Sequence, residues 1–175
     1  MCVIIVKPAN AELPSNSILE RASIYNPHGF GFCTSERIYK TLSFEAFKKE
    51  LRKVRLNEQC IIHFRYATTG SVKRANCHPF KDAQTGICFA HNGVLKIAAH
   101  NDMTDSETFF KQLIGVINAY GYNSQEVEYH IEKSIDYSKF AFMNSNKIHL
   151  YGDFKKIDGI YYSNTTFLNY YYPDY

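Results

Sequence analysis

The sequence predicts an α+β protein in which antiparallel sheets and helices are segregated along the chain. Three observations predict it. Strand-like segments come first, helical segments fill the middle and strands return near the end, unlike the regular alternation of a parallel α/β fold. Residues 2–6 (CVIIV) form an unbroken, largely β-branched run ahead of Pro8, the mark of a buried strand. Thr104-Asp105-Ser106-Glu107 is a capping box that opens a long amphipathic helix.

The elements follow in order. Residues 15–25 suit a short helix closed by Asn26-Pro27-His28-Gly29. Residues 29–33 and 37–41 read as a strand pair. Ser43 caps a helix expected to run to Val54, with Glu45 in its first turn and basic residues near its end. Its apolar stripe is Phe44, Phe47, Leu51 and Val54. Residues 60–66 and 87–91 are strands. The helix after the capping box turns Phe109, Phe110, Leu113, Ile117 and Tyr120 inward and stops at Gly121. A further helix spans 124–135. Residues 139–143 and 147–151 form a hairpin across Asn144-Ser145-Asn146. A Tyr-rich tail with strand-like segments runs from 159 to 175. The 175 residues suffice for one domain with a sizeable core, and no repeat or linker divides 1–175.

Composition excludes several function classes. The net charge of +3 is too weak to imply nucleic acid or a membrane surface as partner. The basic cluster at Lys48, Lys49, Arg52, Lys53 and Arg55 is accounted for by helix-surface solvation. No apolar run reaches the length of a membrane span, and no signal-peptide core follows Met1, so a cytoplasmic protein is expected. The five cysteines are then expected to be thiols, since an odd number fits no disulfide framework. No CxxC pair occurs, and no metal or organic cofactor is indicated. Asn164-Thr165-Thr166 matches the glycosylation sequon, which carries no meaning without secretion.

Four segments carry candidate chemistry. Removal of Met1 leaves Cys2 with a thiol and a free α-amine on one residue. The amine has an ordinary pKa of about 7.7–8.0 and can act as base for its own side chain. The alternative is a small buried residue that starts a strand. Residues 63–70 (HFRYATTG) leave a strand with an Arg suited to forking onto a carboxylate, or to a surface salt bridge. His91-Asn92-Gly93 contains Asn-Gly, a strong hairpin signal, and also a pair of donors fit for an oxyanion. Asp105 meets the dipole of its helix, or binds an ammonium. Glu107 serves as the capping partner.

Taken together and in chain order, Cys2, HFRYATTG, NCHPF (residues 76–80), HNG (91–93) and DSE (105–107) resemble the class II glutamine amidotransferase domain of the N-terminal nucleophile hydrolases. The family's stretches are similar to H-x-R-[WY]-A-T-x-G, N-x-H-P, H-N-G and D-x-E. The resemblance spans residues 2–107. Residues 139–154 and 161–167 also look like the closing strands of compact members. It implies a four-layer α/β/β/α sandwich, two antiparallel sheets between helix layers.

The resemblance also implies roles. Cys2 is the nucleophile, with its freed amine as base. Arg65 binds the α-carboxylate of glutamine, and Asp105 its α-ammonium. The Asn92 side chain and the Gly93 N–H form the oxyanion hole, and the backbone near Thr68 and Thr69 completes the pocket. Tyr66, His78 and His91 support the site by position, not by proton transfer. Two departures stand out: Tyr66 replaces the Trp of many members, and Thr69 the His of some, which implies altered affinity more than lost chemistry. The short chain implies trimmed loops and leaves no room for a synthase half.

The expected reaction is hydrolysis of the glutamine side-chain amide through a Cys2 thioester, with ammonia passed to a separate acceptor subunit. The Tyr-rich tail (161–162 and 170–172) is a docking surface or a packed edge strand. Two other readings stay open: a stand-alone amidohydrolase acting on a γ-glutamyl or other amide, and an inactive binding module with the same fold.

Overall fold

The computed structural model describes residues 1–68, 70–98, 103–144 and 147–168. Strand β1 (Val3–Lys7) is followed by α1 (Asn16–Tyr25), the hairpin β2 (Phe30–Cys33) and β3 (Ile38–Thr41), α2 (Phe44–Leu51) and β4 (Cys60–Phe64). Next come a 3₁₀ turn (Arg74–Asn76), β5 (Phe80–Lys81), β6 (Cys88–Asn92), α3 (Asp105–Tyr120) and α4 (Gln125–Ile135). Strands β7 (Lys139–Asn144), β8 (Lys147–Tyr151), β9 (Lys155–Ile157) and β10 (Ile160–Tyr162) follow. They form a six-stranded sheet, β3-β2-β4-β1-β10-β9, and a four-stranded sheet, β5-β6-β7-β8, each with antiparallel neighbours.

Side-chain alternation assigns every layer. In β1, Val3 and Ile5 face α1 and α2, where they meet Phe30, Phe32, Leu19, Phe47, Ile62 and Phe64. Ile4 and Val6 face the other sheet, against Ile61, Cys88, Ala90, Ala141 and Met143. In the second sheet Phe89, Phe140 and Phe142 pack outward against Phe109, Phe110, Leu113, Val127 and Ile131 of α3 and α4. The order is therefore helices, sheet, sheet, helices, as the resemblance implied. Aromatic rings fill the sheet–helix layers, while smaller side chains fill much of the space between the sheets. Gly31 shows how tight that space is: a Cβ there would lie 2.2 Å from the His78 carbonyl oxygen.

Local signals behave as expected at most helix starts. Ser15, Ser43, Thr104 and Ser124 each accept a hydrogen bond from the backbone N–H three residues on. Glu107 pairs with Lys111 at 3.2 Å. The basic cluster on α2 and after it is matched by acids: Lys48 meets Glu20 and Glu45, Lys53 meets Glu50, and Arg55 meets Glu36 and Glu58.

Several expectations need correction. Helix α2 ends at Leu51, because Lys53 and Val54 donate three residues back in tight turns, although Val54 stays buried. Tyr120 is 61% exposed. Gly121, at φ +88°, turns the chain so that Tyr122 packs on the core instead. Asn92-Gly93 makes no hairpin: it ends β6, whose neighbours are β5 and β7, and the chain departs toward α3. The short strands β5 and β9 escaped the periodicity reading. Asn144 closes β7, but residues 145–146 of the predicted turn lie outside the described residues. Tyr162 is core, and residues 170–172 lie outside the described residues, as does Thr69. No described helix is long and apolar enough to cross a membrane.

Gly31→Ala should force the His78 backbone away from the first sheet. We expect a loss of about 1–3 kcal/mol in urea unfolding, the usual cost of overpacking. A variant as stable as the parent would show that the sheets can part at no cost.

Candidate active site

Pairing registers bring Cys2 between two loops. Because Val3 lies opposite Phe64, the residue before β1 meets the residues after β4. The Tyr66 N–H points at Cys2 Sγ at 3.3 Å, and the Tyr66 carbonyl lies 3.5 Å from the same sulfur. On the other side, β10 pairs with β1, so Ser163 donates its N–H to the Ile4 carbonyl (2.9 Å). The Asn164 amide then donates to the Cys2 carbonyl at 2.7 Å. The sequon Asn is thus an internal clamp, and its Oδ1 accepts from the Thr166 N–H and hydroxyl. Burial pushes the Cys2 thiol up, against the opposing pull of the Tyr66 N–H and the Arg65 charge.

Cys2, Tyr66, Thr68 and Gly93 are shared by two adjoining clefts. One is also lined by Arg65, Asn76, His78, His91, Thr104 and Asp105. The other, about 320 Å³, is lined by Met1, Asn92, Val94, Tyr137 and Ser138. Arg65 is 5% exposed, and its Nη1 donates to the Ser71 carbonyl at 3.0 Å. Asn76 Nδ2 donates to the same carbonyl at 2.9 Å. Asp105 opens α3; its Oδ2 accepts from the Leu95 N–H (3.0 Å) and its Oδ1 from the Ser106 N–H (2.7 Å). The carboxylate therefore ties the loop after β6 to the helix start.

Asn92 and Gly93 lie where β6 ends. A Cβ on Gly93 would lie 2.2 Å from Ser138 Oγ, and its φ of +147° independently disfavours any side chain. Asn92 Nδ2 donates to Ser163 Oγ (2.9 Å), which also accepts the Ile4 N–H (2.8 Å). Asn92 Oδ1 is buried and has no partner.

Three histidines form a buried cluster behind the cleft. His63 Nε2 and His78 Nδ1 each lie 3.1 Å from the His91 carbonyl and 3.2 Å from one another. The His91 N–H points at His78 Nδ1 (3.3 Å), and His91 Nδ1 meets Ser106 Oγ at 2.7 Å. A consistent assignment has His63 donating to the His91 carbonyl while His78 Nδ1 accepts. Burial lowers all three: His63 to about 3, His91 to about 4 and His78 well below the ordinary value, with Asp105 pulling His91 back up. Burial thus favours the neutral form of all three at pH 7.

Of the expected residues, Cys2, Arg65, Tyr66, Thr68, His78, His91, Gly93 and Asp105 share one cleft, with Asn92 lining the adjoining one. Sequence reasoning missed Ser163 and Asn164, which reach the site only through long-range β1–β10 pairing. It also missed Ser106 and His28, whose Nδ1 accepts the Ala67 N–H at 2.9 Å. His63 stood inside a quoted motif without a role.

The cluster makes stability depend on pH in a definite direction. Unfolded histidines take up protons below about pH 6.5, while the native ones stay neutral. Stability is therefore full above that pH and falls as pH drops toward the lowered native values. At pH 5 the loss should be about 2 kcal/mol for each of His63 and His91. Urea unfolding between pH 7 and 5 checks this, and a flat profile would contradict buried neutral histidines.

A family model for class-II glutamine amidotransferases matches residues 45–145. Two solved structures share the fold. The structure of the allosteric regulatory enzyme of purine biosynthesis is 17% identical, with 96% of this chain and 43% of that chain covered and a TM-score of 0.61. The glutamine phosphoribosylpyrophosphate amidotransferase from B. subtilis, complexed with ADP and GMP, is 17% identical over 93% of this chain and 41% of that one, with a TM-score of 0.57. The chain thus spans less than half the length of either. No curated protein matches it. The matched model covers more than half of the 175 residues, and the chain belongs to the class-II glutamine amidotransferases.

Proposed function

We propose that this protein hydrolyses the side-chain amide of glutamine at Cys2 and delivers the ammonia to a separate acceptor protein. The observation that carries the reading is the convergence, at one cleft, of the Cys2 thiol with Arg65 and Asp105. A guanidinium and a carboxylate in one pocket match the α-carboxylate and α-ammonium of a free amino acid.

The thiol needs a base, because burial holds it protonated. The nearby histidines are poor candidates: His78 Nδ1 and His91 Nδ1 are engaged, and both rings are far less basic than usual. Cleavage of the Met1–Cys2 bond supplies the missing base as the Cys2 α-amine. The amine takes the thiol proton as sulfur attacks the amide carbon, then returns it to the leaving nitrogen. A glutamyl thioester and ammonia result, and water releases glutamate.

The developing oxyanion needs donors. The Gly93 N–H is one. A half-turn of the Asn92 amide provides the second: the Ser163 hydroxyl then donates to Oδ1, and Nδ2 replaces the unpartnered oxygen. This orientation leaves the Nδ2 donor without a protein partner and aimed at the place an oxyanion would fill.

A separate acceptor is supported by the rim of the adjoining cleft. Val94 is 64% and Tyr137 95% exposed beside Met1 and Tyr66. A largely apolar rim, interrupted here by the exposed Lys96–Asp136 ion pair at 2.9 Å, is the character of a protein-docking surface.

Intact-mass analysis after treatment with a diazo-ketone glutamine analogue tests the proposal. We expect loss of Met1 and one adduct on Cys2. Retained Met1 with unlabelled Cys2 would overturn it. In a glutaminase assay Cys2→Ala should abolish turnover, and Asn92→Ala should lower kcat by about 10²–10³-fold. Wild-type turnover by Cys2→Ala would refute the thioester route.

A further inference from the structure

A second cleft, of about 300 Å³, lies where the edge strand of each sheet meets α3. Its lining includes none of Cys2, Arg65 or Asp105. Its apolar lining is Phe80 from β5, Phe110 and Ile114 from α3, and Ile38 from β3, with charged side chains around them. The size falls within the range of small-molecule sites.

The charges around this cleft are nearly all accounted for. Lys111 pairs with Glu107 at 3.2 Å. The Asp82 carboxylate accepts from the Thr85 N–H and hydroxyl, at 2.7 and 2.8 Å. Lys81 donates to the Ser35 carbonyl at 3.2 Å. Among the described residues Lys40, like Lys81, has only a backbone carbonyl as hydrogen-bond partner, and it alone lies over the apolar wall. Its ammonium sits 4.3 Å from the centre of the Phe80 ring, with a single long bond of 3.4 Å to the Ala75 carbonyl. Among the described residues it forms no ion pair, and burial lowers it to about 8. A partly buried cation over an apolar wall, with no ion pair among the described residues, favours an anion that brings hydrocarbon with it.

We propose that this cleft binds a small apolar monocarboxylate, with its carboxylate on Lys40 and its hydrocarbon body against Phe80, Phe110 and Ile114. The three lysines of the lining, Lys40, Lys81 and Lys111, against Asp82 and Glu107 leave a net charge of +1, which matches one negative charge. Asp82 and Glu107 on the same rim oppose a dianion such as a phosphate ester.

The test is a calorimetric titration of the full chain with 3-phenylpropionate and, separately, with its neutral amide. We expect saturable binding of the acid at one site and at least tenfold weaker binding of the amide. Lys40→Met keeps the stem over Phe80 and removes the charge; affinity should fall at least tenfold. Ile38→Glu, at a position 37% exposed, puts a carboxylate two residues away on the same face of β3. It should give Lys40 an internal partner and weaken the acid by a similar factor, even if the methionine variant fails to fold. Absence of saturable binding, equal affinity for acid and amide, or indifference to Ile38→Glu would each overturn the proposal.

Discussion

Strand β1 is buried on both faces, and the placement of the site follows from that constraint. Residues 3–6 are each at most 1% exposed, with alternate side chains in the two different cores. A strand buried on both faces sits inside its sheet, and β1 has β4 on one side and β10 on the other. The residue before it is then flanked by whatever follows β4 and β10. That is how Cys2 comes to lie beside Tyr66 and Asn164, 64 and 162 positions away in the chain.

The second sheet and its helices complete the arrangement through His91, which also lines the cleft. The His91 backbone meets His63 and His78, and its ring reaches Ser106, the neighbour of Asp105. One residue of β6 thus touches both sheets and the start of α3. Such a junction favours neutral imidazoles, since an added proton would place a charge among buried groups where only Asp105, near His91, offsets it. Gly31 and Gly93 serve the same closeness. At each, a Cβ would collide with an atom the site depends on: the His78 carbonyl in one case and Ser138 in the other.

Much of this was legible in the sequence because it is local. The caps at Ser43 and Thr104 act within one turn, and the CVIIV run declares a buried strand. The Arg65, His91 and Asp105 segments were found by type and order. What stayed hidden is non-local. Ser163 and Asn164 look like ordinary tail residues until β10 pairs with β1. Asn92-Gly93 has the composition of a hairpin turn, but the glycine answers to Ser138 rather than to an adjacent strand. Tyr120 follows the helical period yet loses its place to Tyr122 beyond the turn.

The protonation states bear on the proposed chemistry from the opposite direction. A thiol in a buried site is a weak nucleophile unless something takes its proton. Burial raises the Cys2 thiol and lowers His78 and His91, so the same desolvation that deactivates the nucleophile also disables the histidines as bases. On the proposed reading Arg65 and Asp105 hold glutamine, yet no described side chain of the cleft is placed to activate the sulfur. A base carried by the nucleophile's own residue resolves this, because the amine sits within covalent reach of the thiol whatever the surroundings. On this reading the Asn164 bond to the Cys2 carbonyl has a positional role: it fixes the backbone of the residue whose amine and thiol must face each other.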